Sequence, residues 1–287
     1  MLIAQITDLH LGFEPGNPDE LNRRRLDAVL RTLSEMEPGP DLLLATGDLA
    51  DAGDDAESYA TLNFCLSKLA IPVYFALGNH DGRDAFRGTF PNIPMPDGFL
   101  QYAIEDRDLR ILVLDTLEEG RHGGAFCETR ADWLRARLAE APDRPTLIVL
   151  HHPPIESGLS WMTENPEAAW VKRLEAIVAA QSNIVALIAG HLHRPVVCQW
   201  AGTTLAICPS TAPQVALDFK PIDPDRPDDR PMIVADPPWF AIHHWDGRRL
   251  ATHFDTACEH DVLARYGPGL QPLVRLLAAE KAGTDTT

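Results

Sequence analysis

Apolar runs and amphipathic stretches alternate over the first two thirds of the chain. Five runs that are almost wholly apolar occupy residues 2–7, 41–45, 73–77, 147–150 and 184–189. Runs of this length are typical of strands buried in a parallel sheet. Between the first two runs, Leu26, Val29, Leu30 and Leu33 recur at helical spacing and predict a helix that Asn17 or Asp19 can cap and that ends near residue 36. Strand, helix and strand in this order predict a βαβ unit.

The same alternation continues to residue 193 and then changes. Helices are expected at about 57–69, from 129 onward and at 167–180, with a strand at 109–114 and irregular connections at 82–100 and 153–166. Four further strands follow without helices between them, at 196–200, 203–207, 239–245 and 250–254, and short turns at Ala201-Gly202 and Asp246-Gly247 join them in pairs. These pairs predict antiparallel strands added near the C-terminal end of an α/β fold.

The pattern also predicts how the chain divides. We expect one α/β domain over residues 1–260, followed at 261–287 by a C-terminal helix, at 270–281, and a flexible tail. Residues 218–238 are dense in Pro and Asp and predict an irregular surface or subunit-contact segment.

Each of the five apolar runs ends next to side chains that can bind a metal ion. In chain order these are Asp8 and His10, then Asp48, then Asn79, His80 and Asp81, then His151 and His152, and last His191 and His193. Ligands bind outside the carboxyl ends of the strands in an open α/β sheet, so these strand ends can converge on one place. A single Asp-x-His pair or one buried histidine more often has a structural partner. Five such groups, each after a strand, predict one shared site.

The kinds of side chain at this site indicate two metals. Their number exceeds what one four-coordinate zinc ion needs, and a mixture of imidazole and oxygen ligands suits borderline transition metals better than calcium or magnesium. Asp48 lies on an inner strand and is the candidate to bridge two ions. Two metals about 3.5–4 Å apart can hold a phosphoryl group and activate a water, so the pattern predicts metal-assisted phosphoester hydrolysis.

Charge and cysteine content bear on the kind of substrate and on the cellular location. Lys and Arg number 25 against 42 Asp and Glu, a formal charge of −17, which argues against a nucleic acid polymer as the substrate. The five cysteines are scattered and form no CxxC pair, which is typical of reduced thiols in a cytoplasmic protein. We expect no signal peptide, because the chain opens directly into a strand, and no integral membrane segment, because no run approaches about 18 apolar residues.

Five short motifs carry a resemblance to a known family. In order and spacing, Asp8-Leu9-His10, Gly47-Asp48, Gly78-Asn79-His80-Asp81, His151 and Gly190-His191-Leu192-His193 resemble the motifs of the calcineurin-like metallophosphoesterase superfamily. The similarity spans residues 1 to about 195. It implies a four-layer αββα sandwich. It also implies a hydrolase with two divalent or mixed-valence transition metals, Mn, Fe or Zn.

The resemblance also implies roles for individual residues. One metal would be held by Asp8, His10, Asp48 and His193, and the other by Asp48, Asn79, His151 and His191. His80 would contact the phosphate or protonate the leaving oxygen, with Asp81 orienting it. A metal-bridging hydroxide would attack in line without a covalent enzyme intermediate. The sequence leaves open whether His151 or His152 is the ligand, and the family pattern favours His151.

Within the superfamily, two loops suggest a substrate class. The His-His-Pro-Pro stretch at 151–154 and residues 209–214 resemble bacterial class III cyclic nucleotide phosphodiesterases and glycerophosphodiesterases, although Pro213 stands where some members have a histidine near the substrate. The implied substrates are small phosphodiesters, namely 3′,5′-cyclic nucleotides or glycerophosphodiesters.

Other functions compatible with the same residues are a phosphomonoesterase or nucleotide pyrophosphatase, a phospholipid head-group hydrolase and a non-catalytic binding module. The resemblance and the 218–238 segment together imply a homodimer or a larger assembly.

Overall fold

The structure is a computed structural model that describes residues 1–105 and 107–283. It divides into two compact units, Met1–Ala257 and Cys258–Thr287. The last four residues of the predicted flexible tail lie outside the described residues. No helix in the described ranges is both long enough and apolar enough to cross a membrane.

The described residues contain thirteen strands and six α-helices. The strands are β1 (Leu2–Ile6), β2 (Leu42–Thr46), β3 (Val73–Ala76), β4 (Tyr102–Ile104), β5 (Arg110–Val113), β6 (Thr146–Val149), β7 (Ile184–Ala189), β8 (Val196–Trp200), β9 (Thr203–Ile207), β10 (Gln214–Val215), β11 (Ile233–Val234), β12 (Trp239–Trp245) and β13 (Leu250–Thr256). The helices are α1 (Leu21–Glu35), α2 (Ala56–Leu66), α3 (Arg83–Thr89), α4 (Glu128–Glu140), α5 (Ala169–Ala179) and α6 (Gln271–Gly283).

Two mixed sheets form the centre of the first unit. The first has the order β13-β12-β1-β2-β3 and the second the order β4-β5-β6-β7-β9-β8. Strands β1, β2 and β3 run parallel in the first sheet, and β5, β6, β7 and β9 run parallel in the second. The antiparallel strands lie at the edges. Ligands bind at the carboxyl ends of parallel strands in such folds, and these ends are followed by the segments after β1, β2, β3, β6 and β7.

Side-chain alternation builds the layers. On β5, Ile111 and Val113 join the core cluster that includes β1, β2 and helices α1 and α2, whereas Leu112 joins a separate cluster with α4 and α5. Successive residues of a strand point to opposite faces, so the second sheet is covered on both faces. The expected α/β fold, with two sheets flanked by helices and antiparallel strands added late in the chain, is confirmed.

Two local expectations were wrong. The connection at 82–100 is not irregular throughout, because it contains α3 and the short 3₁₀ turn Pro96–Gly98. Neither Asn17 nor Asp19 caps the first helix. Its N-cap is Glu20, whose carboxylate accepts the backbone N–H groups of Gly12 and Glu14 instead and so holds the preceding loop.

A fully buried histidine holds the glutamine that links the two sheets. His243 on β12 contacts Thr252 Oγ1 through Nδ1 at 2.8 Å and Gln5 Oε1 through Nε2 at 2.9 Å. The Gln5 amide nitrogen donates to the hydroxyl of Thr46 and to the carbonyl of Ala189, in the second sheet. Since the Gln5 oxygen can only accept, His243 carries its hydrogen on Nε2 and is neutral. Burial, with a smaller contribution from another histidine, lowers the pKa of His243 to about 3.

This buried ring predicts sensitivity to acid. Because the folded-state pKa of His243 lies below its ordinary value of 6.5, its contribution to stability is complete above about pH 6.5 and is lost as the pH falls towards 3. The free energy of unfolding of the parent should decrease between pH 7 and pH 5, and His243→Gln should make this decrease about 2 kcal/mol smaller. Urea denaturation in the presence of a metal chelator measures both. Exposed His244 on the same strand offers the control, His244→Gln. Equal pH dependence in the parent and His243→Gln would contradict the assignment.

Candidate metal centre

The residues after the strands leave regular structure through unusual backbone angles. Asp8, His10, Asp48, His191 and His193 all have positive φ, at 51°, 46°, 49°, 72° and 50°. Positive φ is uncommon outside glycine and costs on the order of 1–3 kcal/mol for each residue. The fold holds five such residues together, which is typical of a functional site rather than of ordinary turns.

Glycines allow these segments to approach one another closely. Gly47 has φ 99°, and a Cβ added there would overlap the ring of His151. A Cβ on Gly78 would lie 2.6 Å from both the Asp48 backbone nitrogen and the His151 Nε2 atom. The Gly-Asp and Gly-Asn motifs are therefore required by space as well as by turn geometry.

A first group of four predicted ligands converges. The possible ligand atoms of Asp8, His10, Asp48 and His193 all lie within 4.8 Å of one another. The His10 and His193 Nε2 atoms are 3.2 Å apart. Asp48 Oδ2 lies 3.7 Å from His10 Nε2, and Asp8 Oδ1 lies 3.4 Å from His193 Nε2.

The hydrogen bonds made by the Nδ1 atoms of His193 and His10 determine whether their Nε2 atoms carry a lone pair. His193 Nδ1 lies 2.9 Å from the carbonyl of Pro213 and must donate to it, so its Nε2 carries a lone pair when the ring is neutral. His10 Nδ1 lies 3.0 Å from the Asp51 carboxylate and donates in the same way. The two Nε2 lone pairs then face each other between carboxylates, an arrangement that a cation stabilises.

A second group consists of histidines. His151, His152 and His191 place possible ligand nitrogens within 4.8 Å of one another. The Nδ1 atom of His151 donates to the Thr46 carbonyl, at 2.8 Å, and its Nε2 atom lies 3.4 Å from Asp48 Oδ2. The Asp48 carboxylate therefore lies between the two groups.

His151 and His152 differ in what their rings contact. His151 faces the carboxylates of Asp8 and Asp48, at 3.8 and 3.4 Å from its Nε2 atom. His152 contacts Thr116 Oγ1 through Nδ1, and its buried Nε2 has no hydrogen-bond partner. The geometry favours His151 as the nitrogen beside Asp48, but His152 also belongs to the second group.

Electrostatics of the buried cluster follow from these contacts. Burial acts to raise the pKa of Asp48, but His151 and His10 outweigh it and hold that pKa well below its usual value. Burial acts to lower the pKa of His151, but Asp48 and Asp8 raise it to about 9. Burial and the nearby His151 lower the pKa of His191 to about 3. Asp48 and Asp8 thus favour positive charge beside His151, whereas the His191 ring is neutral and can bind a metal directly.

The donor set passes a simple test of fit for metal ions. Among the described residues of this site, four buried atoms have no hydrogen-bond partner, namely His151 Nε2, His152 Nε2, His191 Nδ1 and Asn79 Oδ1. Buried polar atoms without partners cost about 1–3 kcal/mol each unless something unseen satisfies them. Imidazole nitrogens with carboxylate and amide oxygens are the ligands that borderline transition metals prefer. The predicted ligands therefore fit two cations.

His80 and Asp81 follow each other in the loop after β3 but contact different partners. His80 is half-buried, its Nδ1 donates to the Asp51 carbonyl at 2.8 Å, and its ring centroid lies 4.5 Å from that of His10. The Asp81 carboxylate accepts hydrogen bonds from the N–H groups of Leu49, Ala50 and Gly78 and from the Tyr59 hydroxyl.

The predicted orienting contact of Asp81 with His80 is not among its hydrogen bonds in the described residues. These bonds go to the turn after β2, to Tyr59 on α2 and to the start of its own loop, so Asp81 fixes that loop. Asp51 orients His80 instead, through its backbone carbonyl, and it also contacts His10. Nothing in the sequence pattern singled out Asp51 among the acidic residues at 51–55.

A buried ion cluster behind the site also escaped sequence analysis. Asp115, fully buried after β5, accepts two hydrogen bonds from Arg83, at 2.9 and 2.8 Å, and lies 3.6 Å from Arg130. Both guanidinium groups lie over the ring of Phe99, at 5.2 and 4.6 Å from its centroid. Arg83 begins α3, directly after the loop that carries Asn79 and His80, so the cluster anchors that loop.

Removal of the shared carboxylate should be costly. We expect Asp115→Ala to lower the free energy of unfolding by about 3–5 kcal/mol, because two buried guanidinium groups lose their counter-ion. The control is Asp132→Ala on α4, which removes an exposed ion pair with Arg135 and should cost less than about 1 kcal/mol. Urea denaturation measures both. Similar losses in the two variants would show that Asp115 has no special structural role.

Comparison with known proteins agrees with the geometry. Residues 1–195 match the calcineurin-like phosphoesterase family. The chain is 31% identical over 224 residues to the 3′,5′-cyclic adenosine monophosphate phosphodiesterase CpdA of Escherichia coli, covering 76% of this chain and 78% of CpdA. It is 28% identical over 283 residues to the glycerophosphodiester phosphodiesterase GpdQ of Enterobacter lignolyticus, covering 94% of each chain.

A solved structure shares the fold. A dimetal phosphatase from Danio rerio superposes with a TM-score of 0.65 at 15% identity, covering 90% of this chain and 97% of that chain. The family match extends over the strands that carry the candidate metal ligands described above. The chain therefore belongs to the calcineurin-like phosphoesterase family.

Proposed function

We propose that this protein is a metal-dependent phosphodiesterase that hydrolyses small phosphodiesters, either 3′,5′-cyclic nucleotides or glycerophosphodiesters. The observation that carries the proposal is the buried convergence of two ligand groups on either side of Asp48. The names of the relatives CpdA and GpdQ support the substrate class. The formal charge of −17 supports a small substrate rather than a nucleic acid polymer.

In this proposal the chain holds two divalent transition metals, manganese, iron or zinc. The first would be held by Asp8, His10, Asp48 and His193, and the second by Asp48, Asn79, His151 and His191. When bound, two such ions provide a nucleophile from water near neutral pH and neutralise charge on the phosphoryl group. His80 donates from Nδ1 to the Asp51 carbonyl, so the protonated ring can also donate a proton from Nε2 to a phosphoryl oxygen or to the leaving oxygen.

The test combines composition and turnover on one sample. We expect elemental analysis of the purified protein to find close to two transition metals per chain. The same sample should hydrolyse bis(p-nitrophenyl) phosphate faster than p-nitrophenyl phosphate, and a screen of cyclic nucleotides and glycerophosphodiesters should follow. Preference for the monoester would favour the alternative phosphomonoesterase or nucleotide pyrophosphatase. Failure to take up any metal would reject the proposal.

Two further properties belong to the proposal. A cytoplasmic location is supported by the cysteines, since none of the five forms a disulfide bond in the described part of the chain. A homodimer or larger assembly remains an expectation from the resemblance and from the exposed 218–238 segment. Light scattering of the purified protein at several concentrations distinguishes it from a monomer.

A further inference from the structure

A second histidine, besides His80, lies beside the proposed metal centre. His122 belongs to the glycine-containing loop at 120–124, after β5. Its Nδ1 lies 3.2 Å from the amide nitrogen of Asn79, and its ring centroid lies 4.9 Å from that of His191. His122 therefore contacts two of the proposed ligands of the second metal.

The contact fixes the orientation of the Asn79 side chain. An amide nitrogen only donates, so His122 Nδ1 accepts, and the hydrogen of this ring is on Nε2. The Asn79 oxygen is buried and has no hydrogen-bond partner in the described residues. Rotation of the amide by 180° would exchange the two atoms and leave a nitrogen, which cannot bind a cation, in the place of the oxygen.

The loop that carries His122 is itself held in place. The N–H group of Gly124 donates to Glu164 Oε1 at 2.7 Å. A Cβ on Gly124 would lie 2.8 Å from the Cβ of His152 and 2.9 Å from Trp170 Cζ2, so this backbone packs directly on the wall of the second histidine group. His122 is thus an exposed side chain on a restrained backbone, which is what a positioning residue needs.

We propose that His122 is a positioning residue, which holds the Asn79 amide with its oxygen free for the second metal and so sets the affinity of that metal without binding it. The inference rests on the proposed function, because it assumes the binuclear site. Loss of such an orienting partner typically lowers metal affinity by about 10–100-fold.

Three substitutions separate the hydrogen bond from the ring contact. His122→Phe keeps an aromatic ring against His191 and removes the acceptor. His122→Asn places an amide oxygen near the position of Nδ1 and removes the ring, and His122→Ala removes both. The metal-free parent and each variant are titrated with Mn²⁺ by calorimetry, and bound metal is counted by elemental analysis after dialysis.

The expected result is a selective loss. His122→Phe and His122→Ala should weaken one of the two Mn²⁺ binding steps by about 10–100-fold and leave the other unchanged, whereas His122→Asn should remain within about threefold of the parent. In an Asn79→Asp background, where both side-chain atoms are oxygens, His122→Phe should cause no further loss, which a double-mutant cycle measures.

Two results would overturn the inference while leaving the proposed function intact. Both apply where the parent binds two Mn²⁺ ions. In the first, His122→Phe binds both ions with the affinity of the parent. In the second, His122→Asn binds Mn²⁺ as weakly as His122→Phe. Uptake of fewer than two ions by the parent itself would instead reject the binuclear site, and this inference with it.

Discussion

Replacement of Asp48 by asparagine is expected to abolish binding of both metals and to lower turnover of a small diester by at least about three orders of magnitude. The Asp48 Oδ2 atom lies 3.7 Å from His10 Nε2 and 3.4 Å from His151 Nε2, between the two ligand groups. The other oxygen accepts the N–H group of His80 at 2.8 Å. Metal ions contribute several kcal/mol to such reactions, and each 1.36 kcal/mol corresponds to a factor of ten in rate.

Asparagine is the informative substitution because it changes charge more than shape. It keeps an oxygen that can accept the His80 N–H group, so the loop after β3 should stay in place. Elemental analysis and diester turnover are measured together, and circular dichroism verifies the fold. The control Asp132→Asn makes the same chemical change at an exposed position on α4. Two metals and turnover within tenfold of the parent in Asp48→Asn would show that this carboxylate does not join the two groups.

The positions of the ligands could be predicted from sequence because two simple rules coincide there. Strands buried in a parallel sheet appear as apolar runs, and the carboxyl ends of parallel strands gather at one edge. Asp8, Asp48 and His151 each follow such a run within two residues. Their approximate place in space therefore follows from counting strands, without knowledge of the loops.

The orienting contacts depend on loop geometry, which no periodic pattern encodes. Asp51 lies 41 residues from His10 in sequence, and the contact forms because the segment after β2 turns at a residue with positive φ, Asp48. The resemblance implied that Asp81 orients His80, which directly precedes it, yet their side chains have different partners. Asp115 and Arg83 likewise pair across 32 residues.

The helix α3 was missed for a different reason. It spans seven residues and buries one hydrophobic side chain, Phe86, so it lacks the repeated apolar positions that indicate an amphipathic helix. Phe86 packs against the rings of Tyr59, Phe75 and Phe90. This tertiary packing, rather than helical propensity, accounts for the element, since helices this short are marginal in isolation.

His80→Ala is expected to lower turnover by about two to four orders of magnitude without changing metal content. The ring is fixed by its Nδ1 hydrogen bond to the Asp51 carbonyl and by the contact with His10, so the Nε2 of the protonated ring is preorganised for proton donation. Loss of a positioned proton donor typically costs this much. Elemental analysis and steady-state kinetics on the same sample measure the two effects, with His244→Ala, an exposed histidine on β12, as the control.

The choice of leaving group then distinguishes the two roles proposed for His80. p-Nitrophenolate leaves without protonation, whereas an alkyl alcohol needs a proton. If His80 protonates the leaving oxygen, the loss in His80→Ala should be at least about tenfold larger with a glycerophosphodiester than with bis(p-nitrophenyl) phosphate. If it donates to a phosphoryl oxygen instead, both substrates should lose activity equally. Normal turnover of both would remove His80 from the mechanism, and loss of a metal would identify it as a ligand, in keeping with its position near His10 and Asp51.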